Sequence, residues 1–156
     1  GDLSREKPLM PQIRPEMLEA YGIPRSQINN IKMGADWTTA DGDVIPNARL
    51  IVPAEAPRSY AYCSDTRYIP TLHELLKGVN TLYHESTYGE DKLKSAEKYC
   101  HSTARQAAMV AKEAGVGQLL LGHYSSRYDD ENVLLQEAKA VFENVRLTNE
   151  MDVIDV

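Results

Sequence analysis

The sequence predicts a layered α/β fold for most of its 156 residues. From Arg49 onward, short apolar segments with strand character alternate with segments that have helical periodicity, and this alternation is typical of α/β proteins. No internal repeat or low-complexity segment is visible. The composition, 42% hydrophobic and 26% charged, is that of an ordinary globular protein whose length suits one domain.

The first 47 residues differ from the rest because they hold five of the eight prolines. Regular structure there must be short, since proline interrupts helices and sheets. We predict short helices over 15–20 and 27–33, and a hairpin over 37–45 with Asp41-Gly42 as its turn. We interpret residues 1–47 as an arm or insertion and residues 48–156 as the main domain.

The main domain is predicted to contain three helices, over residues 72–77, 102–114 and 130–142. The second is the clearest, with Ser102 as its cap, an apolar stripe of Ala107, Ala108, Val110 and Ala111, and Gly115 at its end. In the third, we expect four residues to face inward: Val133, Leu134, Ala138 and Val141. The predicted strands cover residues 49–52, 59–63, 81–84, 118–122, 145–147 and 153–156.

Polar residues follow three of these strands directly: Asp65, Glu85 and His123. Functional groups in α/β sheets gather beyond the carboxyl ends of strands, so the three are expected to share one rim. Asp65 and His123 are suitable zinc ligands. By itself, however, a lone aspartate more often caps a helix, and a lone histidine is more often a surface or core residue.

His101 lies just before the predicted helix 102–114. If Glu85 pairs with it, the two residues can serve as a general acid. The alternative is that His101 packs in the loop before the helix. His73, inside a predicted helix, is expected to face solvent.

Ser125, Ser126 and Arg127 follow His123 and suit phosphate contacts, because hydroxyls and guanidinium groups bind phosphate oxygens. The alternative is a plain turn before the next helix, with Asp129 or Asp130 as its cap.

Charge and cysteine content narrow the range of functions. The formal net charge of -6 argues against nonspecific nucleic-acid binding, although a local field or bound metal ions change that balance. Cys63 and Cys100 are too few for a disulfide framework, so we expect reduced thiols in a cytoplasmic protein. No apolar run predicts a membrane span or a secretory signal.

Four segments, taken in order and spacing, resemble the motifs of the ribonuclease Z family of the metallo-β-lactamase superfamily. They are Ser64-Asp65-Thr66-Arg67, Leu82-Tyr83-His84-Glu85-Ser86-Thr87-Tyr88, His101-Ser102-Thr103 with Gln106-Ala107-Ala108, and Gly122-His123-Tyr124-Ser125-Ser126-Arg127-Tyr128. The resemblance implies the C-terminal half of an αββα sandwich with a protruding exosite arm. Arg25-Ser26-Gln27 departs from the arm's usual sequence.

The resemblance also implies a function, namely a zinc-dependent endoribonuclease that removes the 3′ trailer of precursor tRNA, commonly as a homodimer. Asp65 would bridge two zinc ions and His123 would bind one of them. Glu85 and His101 would act together to protonate the leaving 3′ oxygen. The residues implied to bind substrate are Thr66, Ser125, Ser126 and Arg127.

The family's H-x-H-x-D-H motif, which supplies most zinc ligands, is absent from this sequence, and the only histidines are His73, His84, His101 and His123. We therefore expect the chain to be a fragment that is inactive alone, binds zinc weakly and exposes an apolar sheet face until it meets the missing N-terminal half. Two other functions remain open: a non-catalytic fragment that binds RNA or a subunit, and another phosphodiesterase of the same fold. The arm argues against a small phosphodiester substrate.

Overall fold

The structure, a computed structural model, describes residues 1–156 and divides into two compact units. One unit joins Gly1–Glu6 to Arg58–Val156, and the other is Lys7–Pro57. The predicted boundary at residue 47 differs from this division at both ends. Residues 1–6 belong to the sheet-containing unit, and residues 48–57 belong to the N-terminal one.

Nine strands and seven α-helices make up the chain. The strands are β1 Asp2–Arg5, β2 Gln12–Ile13, β3 Trp37–Thr38, β4 Val44–Ile45, β5 Ile51–Val52, β6 Ser59–Cys63, β7 Thr81–Glu85, β8 Gln118–Gly122 and β9 Val145–Leu147. The helices are α1 Pro15–Ala20, α2 Ile28–Lys32, α3 Asn47–Leu50, α4 Leu72–Leu75, α5 Leu93–Tyr99, α6 Ala104–Ala114 and α7 Asn132–Lys139. Short 3₁₀ turns precede α2 and α5.

The larger unit is built on a five-stranded sheet in the order β1-β6-β7-β8-β9. Strands β6 to β9 are parallel, and β1 adds an antiparallel edge. Cys63 pairs with His84, which pairs in turn with Leu121, so β6, β7 and β8 end side by side. This alignment places the residues that follow the three strands along one edge of the sheet.

The core of this unit lies between the sheet and helices α4, α6 and α7. The predicted apolar stripe of α6 is confirmed, because Ala107, Ala108, Val110 and Ala111 are all fully buried. In α7 the prediction is partly wrong. Leu134 and Ala138, four residues apart, face the core, whereas Val133 in the first turn is 52% exposed.

The start of α6 differs from the prediction by one residue. Thr103, not Ser102, caps the helix: its hydroxyl accepts a hydrogen bond from the Gln106 backbone N–H, and the Gln106 side chain accepts one from the Thr103 N–H. This reciprocal pair is a capping box. Ser102 is buried, and its N–H and hydroxyl make hydrogen bonds within the site described below instead of capping the helix.

Two predicted strands are also corrected. Residues 47–50 form the helical turn α3, so only Ile51–Val52 of the predicted strand 49–52 is extended, pairing with β2. Residues 153–156 form no strand. The backbone there is held by side chains instead, with Gln118 donating to the Asp155 carbonyl and Arg58 to the Val156 carbonyl.

The smaller unit, Lys7–Pro57, has its own apolar cluster of Ile23, Ile31, Ile45 and Leu50. The predicted hairpin is confirmed as the antiparallel pair β3–β4, with Gly42 at φ 92° in the turn. The helix predicted over 15–20 is present with the same bounds as α1, and the helix predicted over 27–33 is present in shorter form as α2.

The sheet's face opposite the helices carries Tyr60, Tyr62 and Tyr83, with the rings of Tyr62 and Tyr83 stacked 4.7 Å apart. Residues from 148 to 156 line the same hollow. The expected apolar face is therefore largely aromatic. No helix in the structure combines the length and the hydropathy that a membrane crossing requires.

Candidate functional site

Three predicted site residues, two of them predicted as metal ligands, meet at the edge where the parallel strands end. Asp65 follows β6, His123 follows β8, and His101 lies in the loop before α6. Each offers a ligand atom, and these atoms all lie within 4.8 Å of one another. The sequence paired Asp65 with His123 and left His101 apart; the fold places all three in one cluster.

The backbone is unusual at this cluster. Asp65, Cys100 and His123 have positive φ angles of 48°, 60° and 58°, and they are three of the four non-glycine residues with positive φ in the chain. L-residues seldom adopt this left-handed conformation, although aspartate and histidine tolerate it better than most. Such residues tend to occur at functional sites. Here they turn the chain sharply at the ends of β6 and β8 and just before His101.

Glu85, at the end of β7, is fully buried and accepts four hydrogen bonds. The donors are the Thr66 N–H at 2.7 Å, the Ser102 N–H at 3.1 Å, the Thr87 hydroxyl at 2.5 Å and His101 Nδ1 at 2.8 Å. Burial by itself would raise the pKa of Glu85, but these donors outweigh it and hold the pKa below the ordinary glutamate value. Glu85 is therefore a buried carboxylate.

His101 is positioned by Glu85. Its Nδ1 lies 2.8 Å from Glu85 Oε1, and its ring stacks on that of His123 with centroids 5.4 Å apart. The side chain of His101 is 23% exposed, so its other ring nitrogen remains accessible. The predicted Glu85–His101 pair is present, and the alternative of a loop residue without a carboxylate partner is excluded.

Asp65 and His123 form the outer part of the cluster. His123 Nε2 lies 3.3 Å from Asp65 Oδ1, and the two side chains are 41% and 75% exposed. With His101 they provide one carboxylate and two imidazoles, which is a donor set that zinc accepts. The residues present therefore fit part of a zinc site that opens to solvent.

The predicted phosphate-binding residues lie in the loop that follows His123. Ser126 and Arg127 are exposed, and the Ser125 N–H donates to the Thr87 carbonyl at 3.1 Å. Tyr128 anchors the loop, because its hydroxyl accepts from the Gly89 N–H at 2.7 Å and donates to Asp91 Oδ1 at 2.9 Å.

Near this loop, the predicted cap of α7 is wrong, whereas the predicted contact of Thr66 with substrate stays a prediction. Neither predicted aspartate is the N-cap of α7: Glu131 holds that position without a side-chain bond, although Asp130 accepts from the Asn132 N–H. Thr66, on the loop after β6, contributes its backbone N–H to Glu85, and its hydroxyl donates to the Arg67 carbonyl.

Two histidines stand outside the cluster. His84 is fully buried, its Nδ1 bonds the Glu85 carbonyl, and its Nε2 has no partner. Burial lowers the pKa of His84, so the ring is neutral. His73 does not simply face solvent as predicted: its side chain is one-third exposed, and Nδ1 lies 2.6 Å from the Pro70 carbonyl and 3.3 Å from Glu113.

Sequence reasoning missed Thr87 and the buried role of Ser102. The Ser102 hydroxyl donates to the Thr66 carbonyl at 2.7 Å and its N–H donates to Glu85, so it connects two loops of the site. Thr87 lies within the segment 82–88 that carried the family resemblance. Its place in this motif could have drawn attention to Thr87, but its contacts depend on the fold.

Curated proteins similar to this chain cover nearly all of it. The ribonuclease Z of Bacteroides fragilis is 48% identical over 150 residues, which is 96% of this chain and 49% of that protein. The ribonuclease Z of Porphyromonas gingivalis is 43% identical over 156 residues, which is 100% of this chain and 51% of that protein. The chain is therefore similar to ribonucleases Z over nearly its whole length. It spans about half the length of these curated relatives.

A solved structure supports the fold assignment. The metallo-β-lactamase fold protein YhfI from Bacillus subtilis matches with a TM-score of 0.55 and 27% identity, over 58% of this chain and 37% of that one. No family model matches the chain. The predicted resemblance to ribonuclease Z and the metallo-β-lactamase-like α/β fold are thus both confirmed.

Proposed function

We propose that the protein containing this chain is a zinc-dependent endoribonuclease that removes the 3′ trailer of tRNA precursors. The observation that carries the proposal is the assembly of Asp65, His101 and His123 around the buried Glu85, in a chain 41–48% identical to ribonucleases Z. A solvent-open cluster of metal-binding side chains beside a carboxylate–histidine pair suits phosphodiester hydrolysis.

The metal would be held by Asp65 and His123, with the remaining ligands from outside this chain. When bound, zinc supplies an activated water and stabilises the charge that develops on the reacting phosphate. Two ligands are too few for a two-zinc site, so we expect this chain alone to bind zinc weakly and to be inactive.

The Glu85–His101 pair would manage the proton on the leaving group. Glu85 is ionised and accepts the hydrogen bond from His101 Nδ1, so it fixes the orientation of the imidazole. His101 would then protonate the departing 3′ oxygen. Arg127, Ser125, Ser126 and Thr66 would hold the flanking phosphates of the RNA, with Arg127 supplying the positive charge.

Three broader features complete the proposal. Of the predicted arm 1–47, the part that lies in the smaller unit, residues 7–47, would form an exosite that binds tRNA away from the cleaved bond. The active protein would be a homodimer in which one subunit's arm serves the other's site. It would act in the cytoplasm, in keeping with two free cysteines of which Cys63 is buried and Cys100 exposed.

The test is cleavage of a precursor tRNA with a 3′ trailer, with zinc present. It compares this chain, the N-terminal half of its parent protein, and the two mixed. We expect cleavage only by the mixture. Binding of the RNA without cleavage would favour a non-catalytic binding fragment, and preference for a small phosphodiester would favour another phosphodiesterase.

Single substitutions in the active mixture separate the proposed roles. His101→Ala should lower kcat by roughly 10²–10⁴-fold, the usual contribution of a general acid. Arg127→Ala should mainly raise KM, and Arg146→Ala, which removes an exposed arginine of β9, is the matched control. Equal effects of Arg127→Ala and Arg146→Ala would remove Arg127 from the proposed site.

A further inference from the structure

Thr87 carries a buried hydroxyl that lies at the centre of the site. Its Oγ1 is 2.5 Å from Glu85 Oε2, 2.9 Å from His123 Nδ1 and 3.3 Å from His101 Nδ1. The residue is 6% exposed, so water does not compete for these bonds. The hydroxyl itself therefore has to be satisfied by the protein, as does the fully buried Glu85 beside it.

The backbone on either side of Thr87 holds this hydroxyl in place. The Ser86 N–H donates to the Gly122 carbonyl, and the Ser125 N–H donates to the Thr87 carbonyl, which fixes the segment to the His123 loop. On the other side, the Tyr88 N–H donates to the Ser102 carbonyl beside His101. The backbone position of Thr87 thus follows from the fold, and the three contacts of its side chain place the hydroxyl.

The number of available protons fixes the direction of each hydrogen bond around Thr87. A hydroxyl has one proton to donate and two lone pairs, whereas a carboxylate only accepts. The short contact with Glu85 therefore takes the Thr87 proton, and the Thr87 oxygen can only accept from His123 Nδ1. His101 Nδ1 donates to Glu85 Oε1, which is nearer than the Thr87 oxygen.

We propose that Thr87 is a positioning residue that, through Glu85, holds His123 in the tautomer with Nδ1 protonated and Nε2 free. One buried carboxylate then orients both imidazoles, His101 directly and His123 through the threonine hydroxyl. The inference deepens the proposed function, on which its link to zinc rests, because the free Nε2 is the atom that would bind the metal. Ligating histidines are commonly fixed in this way through their second nitrogen.

The opposite tautomer of His123 would donate from Nε2 to Asp65. That contact is longer, at 3.3 Å, and Asp65 is 75% exposed, so water can replace it at little cost. With His123 in that tautomer, the Thr87 proton would turn toward His123 Nδ1. Glu85, which is fully buried, would then lose one of its four donors. Because an unmet buried acceptor costs more than a lost surface bond, the Nδ1-protonated form is favoured.

The test reads the tautomer of each imidazole in the zinc-free, ¹⁵N-labelled 156-residue chain, by long-range ¹H–¹⁵N correlation above the ordinary histidine titration range. We expect His123 to carry its proton on Nδ1. Thr87→Val should shift it toward Nε2, Thr87→Ser should retain Nδ1, and His101 should stay Nδ1-protonated in both. Thr71→Val is the matched control, since Thr71 is exposed and its side chain makes no cap bond.

Two results would overturn the proposal: His123 protonated on Nε2 in the wild-type chain, or a tautomer that Thr87→Val leaves unchanged. If Thr87→Val does not fold, the tautomer of His123 in the wild-type chain and in Thr87→Ser still tests the proposal. In calorimetric zinc titrations, Thr87→Val should bind roughly 10–100-fold more weakly than Thr87→Ser. Since the tautomer is read without zinc or RNA, failure of precursor cleavage would count against the proposed function and not against this role.

Discussion

At the scale of single residues, the sheet contains one close approach that only glycine permits. A Cβ at Gly122 would lie 2.2 Å from the Tyr83 hydroxyl oxygen and 2.6 Å from Tyr83 Cε2. Tyr83 is held in turn by its stack on Tyr62. Gly122 also directly precedes His123. The missing side chain at Gly122 therefore leaves room for the Tyr83 ring next to the turn that carries a proposed metal ligand.

Gly122→Ala should therefore destabilise the chain by about 1–3 kcal/mol, the usual cost of forcing extra atoms into a packed region. Urea unfolding of the single variants and of Gly122→Ala/Tyr83→Ala measures this. The alanine should cost much less in the Tyr83→Ala background, because the clashing ring is gone. Additive costs would show that Tyr83 is not the cause.

Tyr83 also predicts a dependence of stability on alkaline pH. Burial, with added repulsion from Tyr62, Tyr124, Tyr60 and Glu85, raises the pKa of Tyr83 from 10.0 to about 12. A pKa raised by folding favours the protonated folded state. The stabilisation is therefore complete below pH 10 and is lost as the pH rises from 10 toward 12.

Tyr83→Phe should flatten this alkaline loss, whereas Tyr99→Phe, at a tyrosine that is 53% exposed, should not. Urea midpoints measured across pH 9–12 give the comparison. Parallel curves for wild type and Tyr83→Phe would contradict the assignment.

At the scale of elements, the Thr103 side chain caps the start of α6, and the Tyr128 side chain anchors the loop after His123. Thr103 closes the capping box of α6 and also donates to Glu90 Oε1 at 2.8 Å. Since His101 and Ser102 immediately precede this cap, the start of the helix fixes the loop that carries the proposed general acid.

Thr103→Ala should cost about 0.5–2 kcal/mol of unfolding free energy, as losses of helix caps do. Thr103→Ser keeps the hydroxyl and should therefore retain most of the unfolding free energy that Thr103→Ala loses. Thr71→Ala, at the uncapped start of α4, provides the control for urea unfolding. A loss at Thr71 as large as that at Thr103 would contradict the role of the capping box.

Tyr128→Phe should loosen the loop that carries Ser125, Ser126 and Arg127. The variant removes the acceptor for the Gly89 N–H and the donor to Asp91, while the ring remains. We expect faster amide hydrogen exchange at Gly89 and in residues 125–127, with little change in α6. Unchanged exchange at Gly89 would show that the hydroxyl does not hold the loop.

At the scale of the whole molecule, the two compact units have separate apolar clusters. Ile31 lies in the cluster of the Lys7–Pro57 unit, and Leu121 lies in the core beneath the five-stranded sheet. Trp37, the only tryptophan, belongs to the smaller unit, so its fluorescence reports that unit.

Ile31→Ala should lower the stability seen by Trp37 fluorescence by about 2–5 kcal/mol, and Leu121→Ala should act equally strongly on methyl signals of the sheet. Each variant should affect its own unit more than the other. Equal shifts of both probes by either variant would mean that the chain unfolds as one cooperative unit.

The sequence by itself determined the α/β alternation, the burial of one α6 face, the hairpin near Gly42 and the resemblance to a family. These features depend on local periodicity, turn chemistry or motif order, which are all readable along the chain. It also nominated Asp65, Glu85 and His123, because polar residues at the ends of apolar strands stand out, and His101, which lies just before the predicted helix 102–114.

The tertiary structure alone decided what connects these residues. Strand β1 was not predictable, since its four residues are all exposed and its partner lies more than 50 residues away. Val133 is exposed because Leu134 and Ala138, four residues apart, set the face of α7 that packs on the core, and the neighbouring position points away from it. The left-handed turns at Asp65 and His123, and the contacts of Thr87 with residues up to 36 positions distant, arise only when β6, β7 and β8 align. Spacing along the chain records none of this, because hydrogen-bond partners across a sheet are set by packing and not by local sequence.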